Sequence, residues 1–249
     1  MTMTVACAQT VAIARDITGN VQRHLQMMQL AAEQGVQFLL FPELSLTGYE
    51  LDAASDLALG TDDPLLEPLR TLARQQAMYS VVGAPVRVPG SGQVLLAALI
   101  FRPDGSVGLY SKQHLHPGED LVFSPGSGGD LLPLGGQRLA LAICADAMQP
   151  GHPAHAARLG ADIYAAGMLI SHRGIVAESQ QMAGYAVEHQ MMVMLANHGG
   201  ETGGWQAAGQ SAIWARDGAL ICKADGAGEC LVVARQDGAG AWEGTVIGQ

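Results

Sequence analysis

Short apolar runs of strand length recur along this chain, and a helical stretch or a tight turn separates each from the next. That alternation leaves few folds open, because strands broken by helices and hairpins build mixed sheets that helices must cover. Residues 4–9 are small and apolar and read as a first strand. Asn20 reads as the cap of a helix to about residue 33, with Val21, His24, Leu25, Met28 and Ala32 on one face and Gly35 just past its end. Residues 36–41 form a continuous apolar run, hence a buried strand, which Pro42 ends. A second unit follows: a helix over 64–78 with a leucine stripe, then strands over 80–86 and 93–101. Pro103-Asp104-Gly105 is turn chemistry, so residues 107–111 should return as a hairpin partner that ends at Lys112.

Residues 113–136, rich in Pro and Gly, read as a long loop, and a loop of that length in a compact domain is usually functional. Beyond it the spacing predicts a strand over 138–143 ending at Cys144, a helix over 154–159, a strand over 161–166, a helix over 176–190 and a strand over 191–196. A second hairpin, 210–215 with 219–223, turns at Arg216-Asp217-Gly218, and a last strand covers 229–234. The segments LIFRPDGSV and AIWARDGAL resemble each other, which suggests two similar halves. No linker of Ser, Pro or charge divides the chain, so residues 1–249 are expected to form one α/β domain.

Composition removes several functions. With 49% hydrophobic and 14% charged residues the chain is built to bury a core, not to stay disordered. The net charge is −10 and no Lys/Arg-rich run occurs, which argues against binding nucleic acid or an anionic membrane surface. The N-terminus has no basic segment followed by an apolar one, and no apolar run reaches the roughly 18 residues of a membrane span, so a cytoplasmic location is expected. The four cysteines, Cys7, Cys144, Cys222 and Cys230, form no CxxC pair and are expected to be reduced.

Three residues share one kind of position. Glu43, Lys112 and Cys144 each follow the end of a predicted strand, where layered α/β folds gather their active-site residues. A free thiol near pKa 8.5 is only a few per cent thiolate at neutral pH, so it needs a base or a nearby cation. Glu43 can take the proton and Lys112 can stabilise the anion. A helix starting just after Cys144 would add its N-terminal dipole. When the thiolate attacks a carbonyl or nitrile carbon, Lys112 and the backbone N–H of Ala145 could hold the developing negative charge.

The local sequences resemble those of the nitrilase superfamily of carbon–nitrogen hydrolases. Phe41-Pro42-Glu43-Leu44-Ser45-Leu46-Thr47-Gly48-Tyr49 is similar to that family's glutamate segment, Tyr110-Ser111-Lys112-Gln113-His114-Leu115 to its lysine segment and Leu141-Ala142-Ile143-Cys144-Ala145-Asp146 to its nucleophile segment. The order is the family's, and the resemblance spans nearly the whole chain. It implies a four-layer α-β-β-α sandwich with two mixed sheets, and assembly into a homodimer or higher homo-oligomer. It implies a thioester intermediate hydrolysed by water, and a second glutamate between the lysine and the cysteine that helps position substrate and water. Glu119, in Pro117-Gly118-Glu119-Asp120, is the match for that residue. The segment Ala165-Ala166-Gly167-Met168 would line the pocket. The chain departs from the family at Ala145, where many members carry a bulkier residue, and at Met148-Gln149-Pro150-Gly151. Both departures bear on the substrate and leave the nucleophile intact.

Tyr49, Met168 and Asn197 follow predicted strands near the same face and join Ala145 as candidate substrate contacts, although each also reads as scaffolding. The histidines form no HExxH, and the Gly-rich stretches lack the phosphate-loop pattern, so neither a metal nor another cofactor is expected. The expected reaction is hydrolysis of a small amide or carbamoyl compound by water. A nitrile substrate, or a non-catalytic binding role on the same fold, stays open.

Overall fold

The computed structural model describes residues 3–248; Met1 and Thr2, at the head of the segment read for a leader, and Gln249 lie outside them. The strands are β1 (Thr4–Gln9), β2 (Phe38–Leu40), β3 (Tyr79–Arg87), β4 (Val94–Phe101), β5 (Val107–Ser111), β6 (Leu132–Leu134), β7 (Gln137–Ile143), β8 (Ile163–Met168), β9 (Met192–Asn197), β10 (Glu201–Thr202), β11 (Trp205–Gln206), β12 (Ala212–Trp214), β13 (Leu220–Lys223), β14 (Cys230–Gln236) and β15 (Trp242–Ile247). The helices are α1 (Ile17–Glu33), α2 (Glu67–Gln75), α3 (Gly151–Arg158) and α4 (Ile175–His189). One sheet has the order β15-β14-β1-β2-β3-β4-β5 and the other β13-β12-β9-β8-β7-β6, while β10 and β11 form a small hairpin apart. Within the sheets β1, β2 and β3 run parallel, as do β7, β8 and β9.

Period-two alternation sorts the side chains into layers. Val5, Cys7, Phe38 and Leu40 of the first sheet meet Leu139, Leu141, Ile143, Ile163, Ala165 and Met194 of the second in one shared core. The intervening residues Ala6, Ala8 and Leu39 face the other way, onto Val21, Met28 and Ala31 of α1 and Leu69 and Leu72 of α2. Ala140, Ala142, Tyr164 and Ala166 pack on Ala156 of α3 and on Met182, Tyr185 and Ala186 of α4. The result is the expected α-β-β-α sandwich. Each fully buried Leu, Phe or Met contributes roughly 1.5–3 kcal/mol, so a one-residue register slip, which would exchange these faces, is strongly resisted.

Several local expectations shift. Asp16 caps α1, accepting from the Gly19 N–H at 2.9 Å. Asn20 lies inside the helix instead, where its buried amide accepts from Ile13 N at 2.7 Å and donates to Leu46 O at 2.9 Å. The helix after Cys144 does not begin at the cysteine: residues Cys144–Asp146 make one 3-10 turn and α3 starts at Gly151. The long loop contains the short strand β6 and a 3-10 turn at Glu119–Leu121. Strand β15 has no counterpart in the sequence reading, because it is a half-exposed edge strand in which only Trp242, Val246 and Ile247 pack on the core, too few to make a clear alternation.

Candidate active site

The chain leaves β2 through a tight turn at Glu43 that neighbouring strands are shaped to receive. Gly83 on β3 and Gly167 on β8 both lie against this turn, and a Cβ on Gly167 would stand 2.8 Å from Phe41 O. Leu44 adopts φ 50°, a left-handed conformation that non-glycine residues rarely hold without support. That support is buried hydrogen bonding. His198 Nε2–H donates to Glu43 O at 2.6 Å. His24 Nδ1–H donates to Asn20 O at 2.7 Å, which leaves its Nε2 to accept from Ser45 Oγ at 2.9 Å, and Ser45 Oγ in turn accepts the Gly83 N–H at 3.2 Å. Burial pushes both imidazoles down to about 4, so they stay neutral and can keep these tautomers.

Lys112 follows β5 and is 1% exposed. Its Nζ donates to Glu43 Oε1 at 2.5 Å and to Glu119 Oε1 at 2.8 Å. Glu119 is fully enclosed: Oε1 also accepts Tyr49 OH at 2.7 Å and Oε2 accepts the His116 N–H at 2.7 Å. The sequence reading cast Glu119 as a positioner of substrate and water. In the structure both its oxygens are engaged behind Lys112, and it is not part of the cavity wall.

Cys144 sits at the end of β7 with φ 43°, a second left-handed non-glycine residue at this site. Strain of this kind persists only where the surroundings hold it. Asp146 is the residue that holds it. One carboxylate oxygen accepts Gln113 N at 3.0 Å and His114 N at 2.8 Å, and the other accepts Tyr110 OH at 2.8 Å and Ile143 N at 3.3 Å. Asp146 therefore ties the segment just after Lys112 to the cysteine turn. The only sequence signal for it was its place two residues past the nucleophile.

Electrostatics follow from one ammonium buried with two carboxylates. Burial raises Glu43 to about 7; Lys112 works against that rise and Glu119 with it. Glu43 Oε2 is buried with no hydrogen-bond partner among the described residues, and the Cys144 thiol, which interacts with the Glu43 carboxyl, donates to Leu169 O at 3.9 Å. Burial alone would lower Lys112, but Glu43, Cys144 and Glu119 outweigh it and hold the ammonium charged. Burial and then Glu43 push the Cys144 thiol up, with Lys112 opposing. The site thus sets a thiol in the same cavity as a buried carboxyl oxygen that has no partner of its own among the described residues.

A cavity of about 310 Å³ opens over this pair, near the small end of the roughly 300–1,000 Å³ usual for small ligands. Glu43, Tyr49, Cys144 and Ala145 line its floor, with Leu115, Met148, Leu169, His116, Glu178 and Trp205 around them. Tyr49 and Ala145 both line the cavity. Met168 does not line the cavity, because alternation along β8 turns it into the core against the helices, and Leu169 takes its place at the wall. Asn197 does not line it either: its amide is spent on Ile170 N, Ile170 O and Gly209 O at 2.8–3.0 Å, bracing the wall from behind. The Gly-rich stretch that lacks the phosphate-loop pattern forms the β10–β11 hairpin, which delivers Trp205. Among the described residues no group of three or more His, Cys, Asp or Glu could hold a metal ion, and no helix is long and apolar enough to cross a membrane.

This sandwich, with a cysteine, a lysine and two carboxylates gathered where its two sheets meet, is the architecture of an amidase-like carbon–nitrogen hydrolase. Residues 4–243 match the carbon-nitrogen hydrolase family model, and the chain belongs to that family. It is 30% identical to a hydrolase from the pqqF 5' region of Pseudomonas protegens, over 95% of this chain and 83% of the relative. It is 28% identical to a nitrilase of Pyrococcus abyssi, over 78% of this chain and 74% of that one. Among solved structures, an amidase from Nesterenkonia sp. AN1 in complex with butyramide is 27% identical, with TM-score 0.84 over 93% of this chain and 89% of that one. A mutant of the same amidase, with TM-score 0.84 and 27% identity over 93% of this chain and 89% of that one, shows covalent addition of the acetamide moiety of fluoroacetamide at its active-site cysteine.

Proposed function

We propose that this protein hydrolyses a small amide or carbamoyl compound through a thioester on Cys144. The supporting observation is the unpartnered Glu43 Oε2 beside a strained cysteine at the floor of a small cavity. Glu43 takes the thiol proton as Sγ attacks the carbonyl carbon. The oxygen becomes an oxyanion that Lys112 Nζ and the Ala145 N–H stabilise, an effect worth roughly 10²–10³-fold per donor. Protonated Glu43 then passes its proton to the leaving nitrogen, the C–N bond breaks, and ammonia or an amine departs. Water enters, gives a proton to Glu43 and attacks the thioester carbon; the C–S bond then breaks, Glu43 returns the proton to Sγ, and the acid leaves the regenerated thiol. Glu119 holds Lys112 in place and Tyr49 closes the far side of Glu119, so both are positioning residues.

The test is ammonia release from an amide and from its matching nitrile by purified protein and by Cys144→Ala. Turnover of the amide that vanishes in the variant is the expected result. Turnover that survives Cys144→Ala ends the mechanism, and a clear preference for the nitrile replaces the amide with a C≡N substrate. A homodimer or higher assembly fits the outward-facing apolar residues Val176 and Val187 on α4 and Leu159 beyond α3, which are 66%, 50% and 49% exposed. Light scattering checks it. A reducing, cytoplasmic location fits four unpaired cysteines.

A further inference from the structure

The outer half of the cavity carries a charge that the chemistry above does not use. Glu178 projects from the first turn of α4 into the same cavity as Cys144. It makes no ion pair or side-chain hydrogen bond through its carboxylate among the described residues, unlike Glu43 and Glu119, which share Lys112. No Lys or Arg lines the cavity. Burial raises Glu178 above the ordinary carboxylate range, and His116 is the group that opposes this. His116 is itself turned to Pro117 O at 3.1 Å and packs edge-on with Trp205 at 6.2 Å, so it is held at the rim beside Glu178 without bonding to it. A half-buried carboxylate with no cation of its own is incompletely compensated, and an arriving cation would complete it. An aromatic ring in the same wall adds a second attraction for a cation.

We propose that Glu178 sets substrate choice: the preferred substrate is an amide bearing a protonated amine at the end remote from its carbonyl, with that ammonium docked between Glu178 and Trp205. This rests on the amide-hydrolysis reading and goes beyond it by naming the substrate's charge. A carboxylate at the same end would face Glu178 inside a protein of net charge −10, and it is disfavoured on both counts.

The experiment compares three amides of matched length: delta-aminovaleramide, hexanamide and adipamic acid, which end in an ammonium, a methyl and a carboxylate. With the unaltered protein, kcat/KM for the amino amide should exceed that for hexanamide by about tenfold or more, mainly through KM, and adipamic acid should be poorest. Glu178→Gln should bring the amino-to-neutral ratio to within about twofold of one, Glu178→Asp should keep part of it, and Glu178→Arg should favour adipamic acid. Calorimetry with the Cys144→Ala protein should give the same order of Kd. Equal or better turnover of hexanamide by the unaltered protein overturns the inference, as does a ratio that survives Glu178→Gln. Hexanamide turnover without any ammonium preference sinks this inference alone. If none of the three is turned over and Cys144 fails to react with fluoroacetamide, the hydrolase reading falls and takes this inference with it.

Discussion

Strands β1, β2 and β3 run parallel and lead into the β4–β5 hairpin; β7, β8 and β9 run parallel and lead into β12–β13. The two hairpins even turn alike. Asp104 accepts from Ser106 N at 2.8 Å before Gly105 at φ 85°, and Asp217 accepts from Ala219 N at 3.0 Å before Gly218 at φ 81°. Yet the lysine after the first hairpin is buried between two carboxylates, while Lys223 in the second is exposed and makes a single 3.4 Å bond to Gln210. Within the second unit the cysteines differ too: Cys144 follows the interior strand β7, and Cys222 lies within the edge strand β13. Both hairpins meet the opposite sheet, and what differs is which strand ends they meet there. Strand β5 packs against β7 and β2 against β8, which brings the ends of β2, β5 and β7 to one place, whereas β13 packs against β14 and β15 at the far edge of the first sheet.

The contrast can be broken by substitution. Cys144→Ala should abolish amide turnover, by on the order of 10⁴-fold or more, while Cys222→Ala leaves a measurable kcat. Lys112→Ala should lower kcat by about 10²-fold or more. It should also destabilise the fold by about 3–5 kcal/mol in chemical denaturation, since it strands two buried carboxylates. Lys223→Ala should move stability by no more than about 0.5 kcal/mol.

Smaller effects sharpen the comparison. On a neutral amide, kcat/KM should fall about tenfold per pH unit below about 7, as Glu43 gains a proton and can no longer take one from Cys144. The sign for stability is opposite. The folded-state value of Glu43 lies above its ordinary 4.5, so its contribution to stability is full below 4.5 and is lost as pH rises to about 7. A flat pH–rate profile between those values would remove Glu43 as the base. Gly167→Ala should lower kcat more than it lowers the melting temperature, because the added Cβ would press on the Phe41 carbonyl beside Glu43. A matched loss of both would make Gly167 a packing residue only.

Much of this was legible in advance for a physical reason. Buried strands and amphipathic helices must be apolar at fixed periods, so β3, β4, β5, β7 and α4 stand out within a residue or two. Glu43, Lys112 and Cys144 were legible because polar residues directly after apolar strands are unusual and mark sheet ends. Asp146, Trp205 and Glu178 were not, because a carboxylate two residues past a cysteine, a Trp in a Gly-rich hairpin and a Glu on a helix carry no periodic signal. Met168 and Asn197 were misplaced because position after a strand does not say which way alternation turns the side chain.

Local patterning, then, settled the elements and that helices cover mixed sheets, while the four-layer order came from the family resemblance: each element's apolar period depends on its own residues and survives without knowing its neighbours. What only the packed chain could decide is which strand ends face each other across the sandwich. That depends on how β5 lies on β7 and β2 on β8, a set of contacts between residues far apart in sequence. The same long-range packing removes water from Lys112, Glu43 and Glu119, and this dehydration, absent from any single segment, raises Glu43 to about 7.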